Sequence, residues 1–120
     1  LTEPTTIQIG HAKESEASLY LQAQGLKLVL ANYSCKYGEI DLIMQDKEEL
    51  VFVEVRYRQS DDYGDGGDSV TQEKQRRVIR AAKFYLCERD LYDHIACRFD
   101  VIASGPNEIL WIKDAFWLKR

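Results

Sequence analysis

Two acids in this sequence stand where strand-forming neighbours leave little room for charge. Asp41 lies in Gly38-Glu39-Ile40-Asp41-Leu42-Ile43, and Glu54 lies in Val51-Phe52-Val53-Glu54-Val55-Arg56. Apolar runs on either side of a short charged stretch predict an antiparallel hairpin. With Lys47 and Glu48 as its turn, Leu42 faces Val53, Asp41 faces Glu54 and Glu39 faces Arg56. Opposed residues have Cβ atoms roughly 4.5–5.5 Å apart, and two carboxylates that close repel unless a proton or a cation sits between them. A divalent cation with oxygen ligands at about 2.1 Å would relieve the repulsion and give the pair a use in phosphodiester chemistry. Arg56, two residues beyond Glu54 on the same side, would place positive charge beside a scissile phosphate. Strict alternation also puts Ile40, Leu42 and Met44 on one side of the first strand, with Glu39, Asp41 and Ile43 on the other. A turn one residue longer would send one strand's side chains to the opposite face, so the inference depends on that turn.

The elements that must position this hairpin follow from hydrophobic periodicity. Residues 1–10 read as an irregular lead-in. Residues 11–24 read as a helix with Ala12, Ala17, Leu19, Tyr20, Leu21 and Ala23 as a broad apolar face, stopped at Gly25. Residues 26–31 read as a first strand and 32–38 as a turn. The acidic, glycine-rich stretch 59–69 predicts a mobile loop where substrate could pass, without the acid order of a calcium-binding loop. A second helix starts after Ser69 or Thr71 and turns Val70, Val78, Ala81, Ala82, Tyr85 and Leu86 inward. Its Lys74, Arg77 and Arg80 recur every three residues, either as a solvated face or as contacts to a phosphate backbone. Residues 96–103 and 108–112 read as two further strands around a turn at 104–107. Trp111, Phe116 and Trp117 are expected to close the core, and Asp100 is expected to be partly buried and paired with Arg98.

Composition narrows the classes. A chain of 120 residues suits one domain spanning 1–120, large enough for a core without metal or disulfide support. The net charge of -4 gives no global attraction for nucleic acid, so such a site needs a local basic patch. Cys35, Cys87 and Cys97 are odd in number and lack metal-ligand spacing, which fits a reduced, cytoplasmic setting. No apolar run approaches membrane-spanning length, the first residues resemble no secretory signal, and the start on Leu1 suggests missing or altered residues. His11 and His94 carry no paired ligand motif, and no nucleophile elbow, phosphate-binding glycine loop or nicotinamide fingerprint is present. The order helix, three strands, helix, two strands predicts an α/β domain with a mixed sheet.

The same residues resemble the bacterial YraN family, an uncharacterised family described as candidate endonucleases. The resemblance is carried by Glu14, Gly25 and Asn32, by Gly38-Glu39-Ile40-Asp41-Leu42-Ile43, and by Val51-Phe52-Val53-Glu54-Val55-Arg56-Tyr57-Arg58. It continues through Lys74, Arg77, Arg98-Phe99-Asp100-Val101 and Trp111-Ile112-Lys113-Asp114-Ala115-Phe116. That family is similar to the restriction-endonuclease-like superfamily, which includes Holliday-junction resolvases. The resemblance implies a three-layer core with a mixed central sheet. It implies Asp41 and Glu54 as catalytic metal ligands with the Val55 carbonyl, and Glu14 as an additional helix-borne acid. Two positions depart from the pattern. Lys13 replaces a glycine often found before the helix acid, and Arg56 stands where the superfamily commonly has lysine. An arginine does not readily lose a proton to act as a base, so water activation would fall to the metal.

Two functions are therefore expected to compete. The first is a magnesium- or manganese-dependent endonuclease for branched or structured DNA, with Asp41, Glu54, Arg56 and Glu14 at the reaction centre and Lys74, Arg77 and Arg80 on the backbone. The alternative is a noncatalytic nucleic-acid-binding or DNA-repair adaptor module on the same fold.

Overall fold

The computed structural model describes residues 5–57 and 70–116. The expected loop at 59–69, Arg58 and Trp117 lie outside the described residues. Within them the order is α1 (Thr6–Ala23), β1 (Lys27–Cys35), β2 (Gly38–Asp46), β3 (Glu49–Tyr57), α2 (Gln72–Glu88), β4 (Ala96–Ser104) and β5 (Ile109–Phe116). The strands form one sheet in the order β1-β2-β3-β4-β5. All neighbours are antiparallel except β3 and β4, which run parallel. A parallel neighbour requires a crossover, and α2 lies in that connection. α1 packs on one sheet face through Ala17 and Leu21, while α2 packs on the other through Val78, Ala81, Ala82, Tyr85 and Leu86. This three-layer mixed α/β arrangement is compatible with a restriction-endonuclease-like core.

The hairpin turn and its register form as the sequence predicts as far as Leu42 and Val53; the expected pairs Asp41–Glu54 and Glu39–Arg56 lie beyond the end of the ladder. β2 ends at Asp46, β3 begins at Glu49, and Leu42 pairs with Val53. Lys47 takes a positive φ of 58° in the turn, and the Gln45 side-chain amide donates to its carbonyl at 3.0 Å. Leu42, Met44, Val51 and Val53 pack towards α1, while Ile43 and Phe52 pack towards α2. Phe52 is fully buried, and truncating such a ring to Ala costs about 3–5 kcal/mol.

Several expectations need correction. α1 begins at Thr6, inside the supposed lead-in, because Thr5 and Gln8 form a reciprocal capping box that satisfies otherwise orphaned N–H groups. Its buried face is also narrower than its composition suggests: Ala17, Ser18 and Leu21 are buried, whereas Leu19 is 68% exposed. β1 continues to Cys35, so only Lys36 and Tyr37 remain for the turn expected across 32–38. Similarly, β5 runs on from Ile112 to Phe116.

Ile40 does not share the side of Leu42 and Met44. It joins Ile43, Tyr33 and Phe52 in the α2-facing cluster. The break coincides with Asn32, whose φ of 56° interrupts the β1 pleat. Ala31 still pairs with Leu42 before it, and Tyr33 pairs with Ile40 after it. A short polar side chain tolerates that left-handed backbone better than a β-branched one. Asp41, between Leu42 and Ile40, therefore occupies the place where the sheet changes the side it offers to each helix.

Candidate functional site

The β2–β3 ladder runs from Asp46 and Glu49 to Leu42 and Val53. Just past that last pair, side chains take up main-chain amides. Asp41 N–H donates to Glu54 Oε2 at 3.3 Å, and Val55 N–H donates to Asp41 Oδ2 at 2.8 Å. This reciprocal clasp holds both acids at one end of the hairpin. Gly38, Glu39, Asp41, Glu54, Lys74, Arg77 and Val78 line a cleft of about 290 Å³ there. The two acids thus line one cleft, brought there by the clasp beyond the last register pair.

Glu54 is only 1% exposed, and its sole ion pair is to Lys74 Nζ, 3.4 Å from Oε1, among the described residues. Burial pushes its carboxyl up to about 7; the Asp41 charge adds to the rise, and Lys74 together with the Asp41 amide opposes it. Burial also raises Asp41, against the hydrogen bond from Val55 and the charge of Lys74. Neither group is indifferent to the other's charge, so the pair titrates jointly.

Glu14 approaches from α1. Its carboxyl is raised by burial and then by Asp41, and its side chain lies within hydrogen-bonding reach of Asn32 and Asp41. Glu14 Oε1 is nevertheless buried without a partner. Glu14 also lines a separate cavity of about 470 Å³ with His11, Ser15, Ser18 and Asn32 on the α1 side. Asp41 therefore connects Glu54 on the α2 side with Glu14 on the α1 side.

The basic residues separate on folding. Thr71 caps α2 by accepting from the Lys74 N–H at 3.2 Å, which fixes the start of the helix beside the cleft. Lys74 and Arg77 line the cleft, whereas Arg80 lies exposed one turn further along the helix. Arg56 is half-buried towards the end of β3 and pairs in register with Ala103 of β4; it is not among the cleft-lining residues. Sequence spacing places Lys74 with Arg80 and does not reveal its ion pair with Glu54. That contact depends on the approach of α2 to the sheet.

The donor set fits a hard divalent cation that keeps part of its water shell, since magnesium is commonly held by one or two carboxylates. A buried and a half-buried carboxylate that repel each other, and an orphaned third carboxylate oxygen, are the observations in favour. No group of three or more His, Cys, Asp or Glu side chains stands ready as a ligand cage among the described residues. The carboxylates that the fold brings together are Asp41 and Glu54, with Glu14 behind Asp41 on the α1 side.

Comparison with known proteins agrees over most of the chain. Residues 13–103 match the model of Uncharacterised protein family UPF0102. A UPF0102 protein of Nitrosococcus oceani is 49% identical over 111 residues, covering 89% of this chain and 90% of the relative. One from Klebsiella pneumoniae is 47% identical, covering 91% and 86% respectively. The UPF0102 protein YraN of Escherichia coli is 46% identical, covering 93% and 86%. Among the described residues no helix is long and apolar enough to cross a membrane.

Proposed function

Because the chain belongs to the UPF0102 family, whose description assigns no reaction, we propose from its own cleft that it is a metal-dependent endonuclease for branched or structured DNA. One observation carries the reading: the buried carboxylate of Glu54 and the half-buried one of Asp41, from adjacent strands, meet in a cleft that also receives Lys74 and Arg77. Such a pair is unfavourable for a purely structural sheet, but suits a site that takes up positive charge.

Asp41, Glu54 and the Val55 carbonyl would hold magnesium or manganese, with Glu14 contributing directly or through water. Bound there, the ion would supply Lewis-acid stabilisation of the phosphate and a more acidic attacking water. The reciprocal bonds to the Asp41 and Val55 amides keep both carboxylates oriented before any ligand arrives. Lys74 and Arg77 offset phosphate charge at the cleft, and Arg80 extends contact along the backbone. Arg56 would neutralise charge developing on the phosphate from the β3 side.

The test is a screen of linear, nicked, flap and four-way DNA with magnesium or manganese, comparing wild type with Glu54→Gln. Wild type should cut at least one branched substrate, and the folded variant should cut it slower by orders of magnitude. Equal rates would place the chemistry elsewhere. Wild type that binds DNA but neither binds metal nor cuts would favour the noncatalytic binding module.

A further inference from the structure

The turn between β1 and β2 puts an aromatic side chain at the rim of the acid cleft. Tyr37 is 41% exposed and meets Phe84 of α2 edge-on, with ring centroids 5.6 Å apart. Lys36 Nζ lies 5.2 Å from the Tyr37 centroid and 6.0 Å from that of Phe84. The next residue, Gly38, ties this turn to the cleft. A Cβ added there would come within 3.4 Å of Arg77 Cβ, and its φ of 153° is one that side-chain-bearing residues seldom adopt. Gly38 and Arg77 are both cleft-lining residues, so the aromatic pair and the acids border the same stretch of surface.

We infer that Tyr37, backed by Phe84 and accompanied by Lys36, is a stacking platform for an unpaired base of the DNA strand that enters the cleft. The inference rests on the nuclease reading for the position of the phosphate. Charge complementarity argues for this occupant: Lys36 lies against the exposed ring and Arg77 lines the cleft beside Gly38, so basic side chains accompany exposed aromatic surface, the combination by which proteins hold single strands. Core aromatics of the same molecule differ. Tyr33 and Tyr85 are buried against one another, and the Tyr33 hydroxyl donates to Glu88. A ring on a turn cannot reach the face of a base still paired and stacked in a duplex. The platform therefore selects DNA with unpaired or splayed nucleotides beside the scissile phosphate.

The complete chain should be titrated, without divalent ions, against splayed, gapped and fully paired DNA carrying 2-aminopurine at the unpaired position or its paired equivalent. Wild type should prefer the splayed and gapped forms and change the probe's emission only there. Tyr37→Ala should lose roughly tenfold in affinity for those forms, within the usual range for one stacked base, and keep its duplex affinity. Tyr37→Phe should retain the preference, with both variants melting near wild type. Equal weakening on all DNA, or unchanged preference in Tyr37→Ala, would overturn the platform even if the enzyme cuts. A Tyr37-dependent preference in a protein that never cuts would sustain the platform and remove the nuclease reading. Failure of wild type to bind any DNA would overturn both.

Discussion

Two acid clusters along β3 are supplied with donors in different ways. At the hairpin end, Arg98 Nη1 lies 2.8 Å from Glu49 and 3.0 Å from Asp46, and its Nε donates to Asp100 Oδ1 at 3.0 Å. Asp100, fully buried, also accepts from Trp111 Nε1 and the Asp114 N–H, each at 2.9 Å. Burial pulls the Arg98 guanidinium down, but the bonds and charge of Asp100, with Glu49 and Asp46, leave it above its ordinary value. Five residues beyond Glu49 on β3, and next to Val53, which pairs in register with Asp100, Glu54 has one half-exposed lysine and the Asp41 N–H, and Asp41 has the Val55 N–H. In the first cluster one guanidinium serves three carboxylates, but the buried one, Asp100, accepts from Arg98, Trp111 and Asp114, while Glu49 and Asp46 stay partly exposed. In the second, the buried Glu54 has fewer donors and faces a cleft. Burial alone thus does not distinguish a structural acid from a functional one; the donors supplied to it do.

The largest effect should come from removing the cation of the Asp100 cluster. Arg98→Met leaves Asp100 charged and buried, with Trp111 and Asp114 as neutral donors, and should cost about 3–5 kcal/mol. Urea denaturation measures it. A loss below about 1 kcal/mol would show that the cluster contributes no more than an exposed ion pair.

The Glu54 cluster should respond with the opposite sign. Glu54 is raised on folding, so between about 4.5 and 7 the native state holds more protons than the unfolded chain. Its favourable contribution is therefore present at low pH and lost as pH rises through the folded value. Glu54→Gln removes the cost of the buried charge and should stabilise the metal-free protein at pH 8 by about 2 kcal/mol. The gain should disappear by about pH 4. Melting curves across that range decide the matter, and a variant less stable at pH 8 would mean that Lys74 already satisfies the cleft.

Magnesium or manganese should sharpen the contrast further. An ion at 100 times its dissociation constant stabilises the native state by about 2.7 kcal/mol, and it should do so in wild type but not in Glu54→Gln. Because Glu54 is half-protonated near neutrality, binding should release protons. Calorimetry in buffers of different ionisation enthalpy detects that release.

How much of this contrast was legible beforehand follows from the range of each interaction. The turn at Lys47 and Glu48 and the pairing of Leu42 with Val53 are readable because a two-residue gap between apolar strands fixes register locally. Asp100 and Arg98 are two positions apart on one strand face, so their pairing is readable too. Glu49, Asp46 and Trp111 reach them only through tertiary structure, as Lys74 reaches Glu54. The missed start of α1 did have a local signal, Thr5 three residues before Gln8. Asn32 likewise belongs to a residue type suited to a left-handed backbone, but nothing in the alternation of β1 requires the break that carries Ile40 across the sheet.

The smallest effect should be at Lys74, and it tests which role that side chain has. Its own side chain is 44% exposed, so Lys74→Gln loses a screened ion pair and should change stability by no more than about 1 kcal/mol. The pH dependence is more informative than the size. Lys74 lowers the Glu54 pKa, so its removal should keep the cleft protonated to higher pH. The variant should match wild type near pH 5, where Glu54 is neutral in both, and fall slightly below it near pH 8. Carboxyl carbon chemical shifts of Glu54, followed through the same titration, should move upward in midpoint. A midpoint unchanged by Lys74→Gln, together with a reduced salt slope for DNA binding, would assign Lys74 to the phosphate backbone alone. An upward midpoint with an unchanged salt slope would assign it to Glu54, leaving Arg77 and Arg80 to meet the DNA.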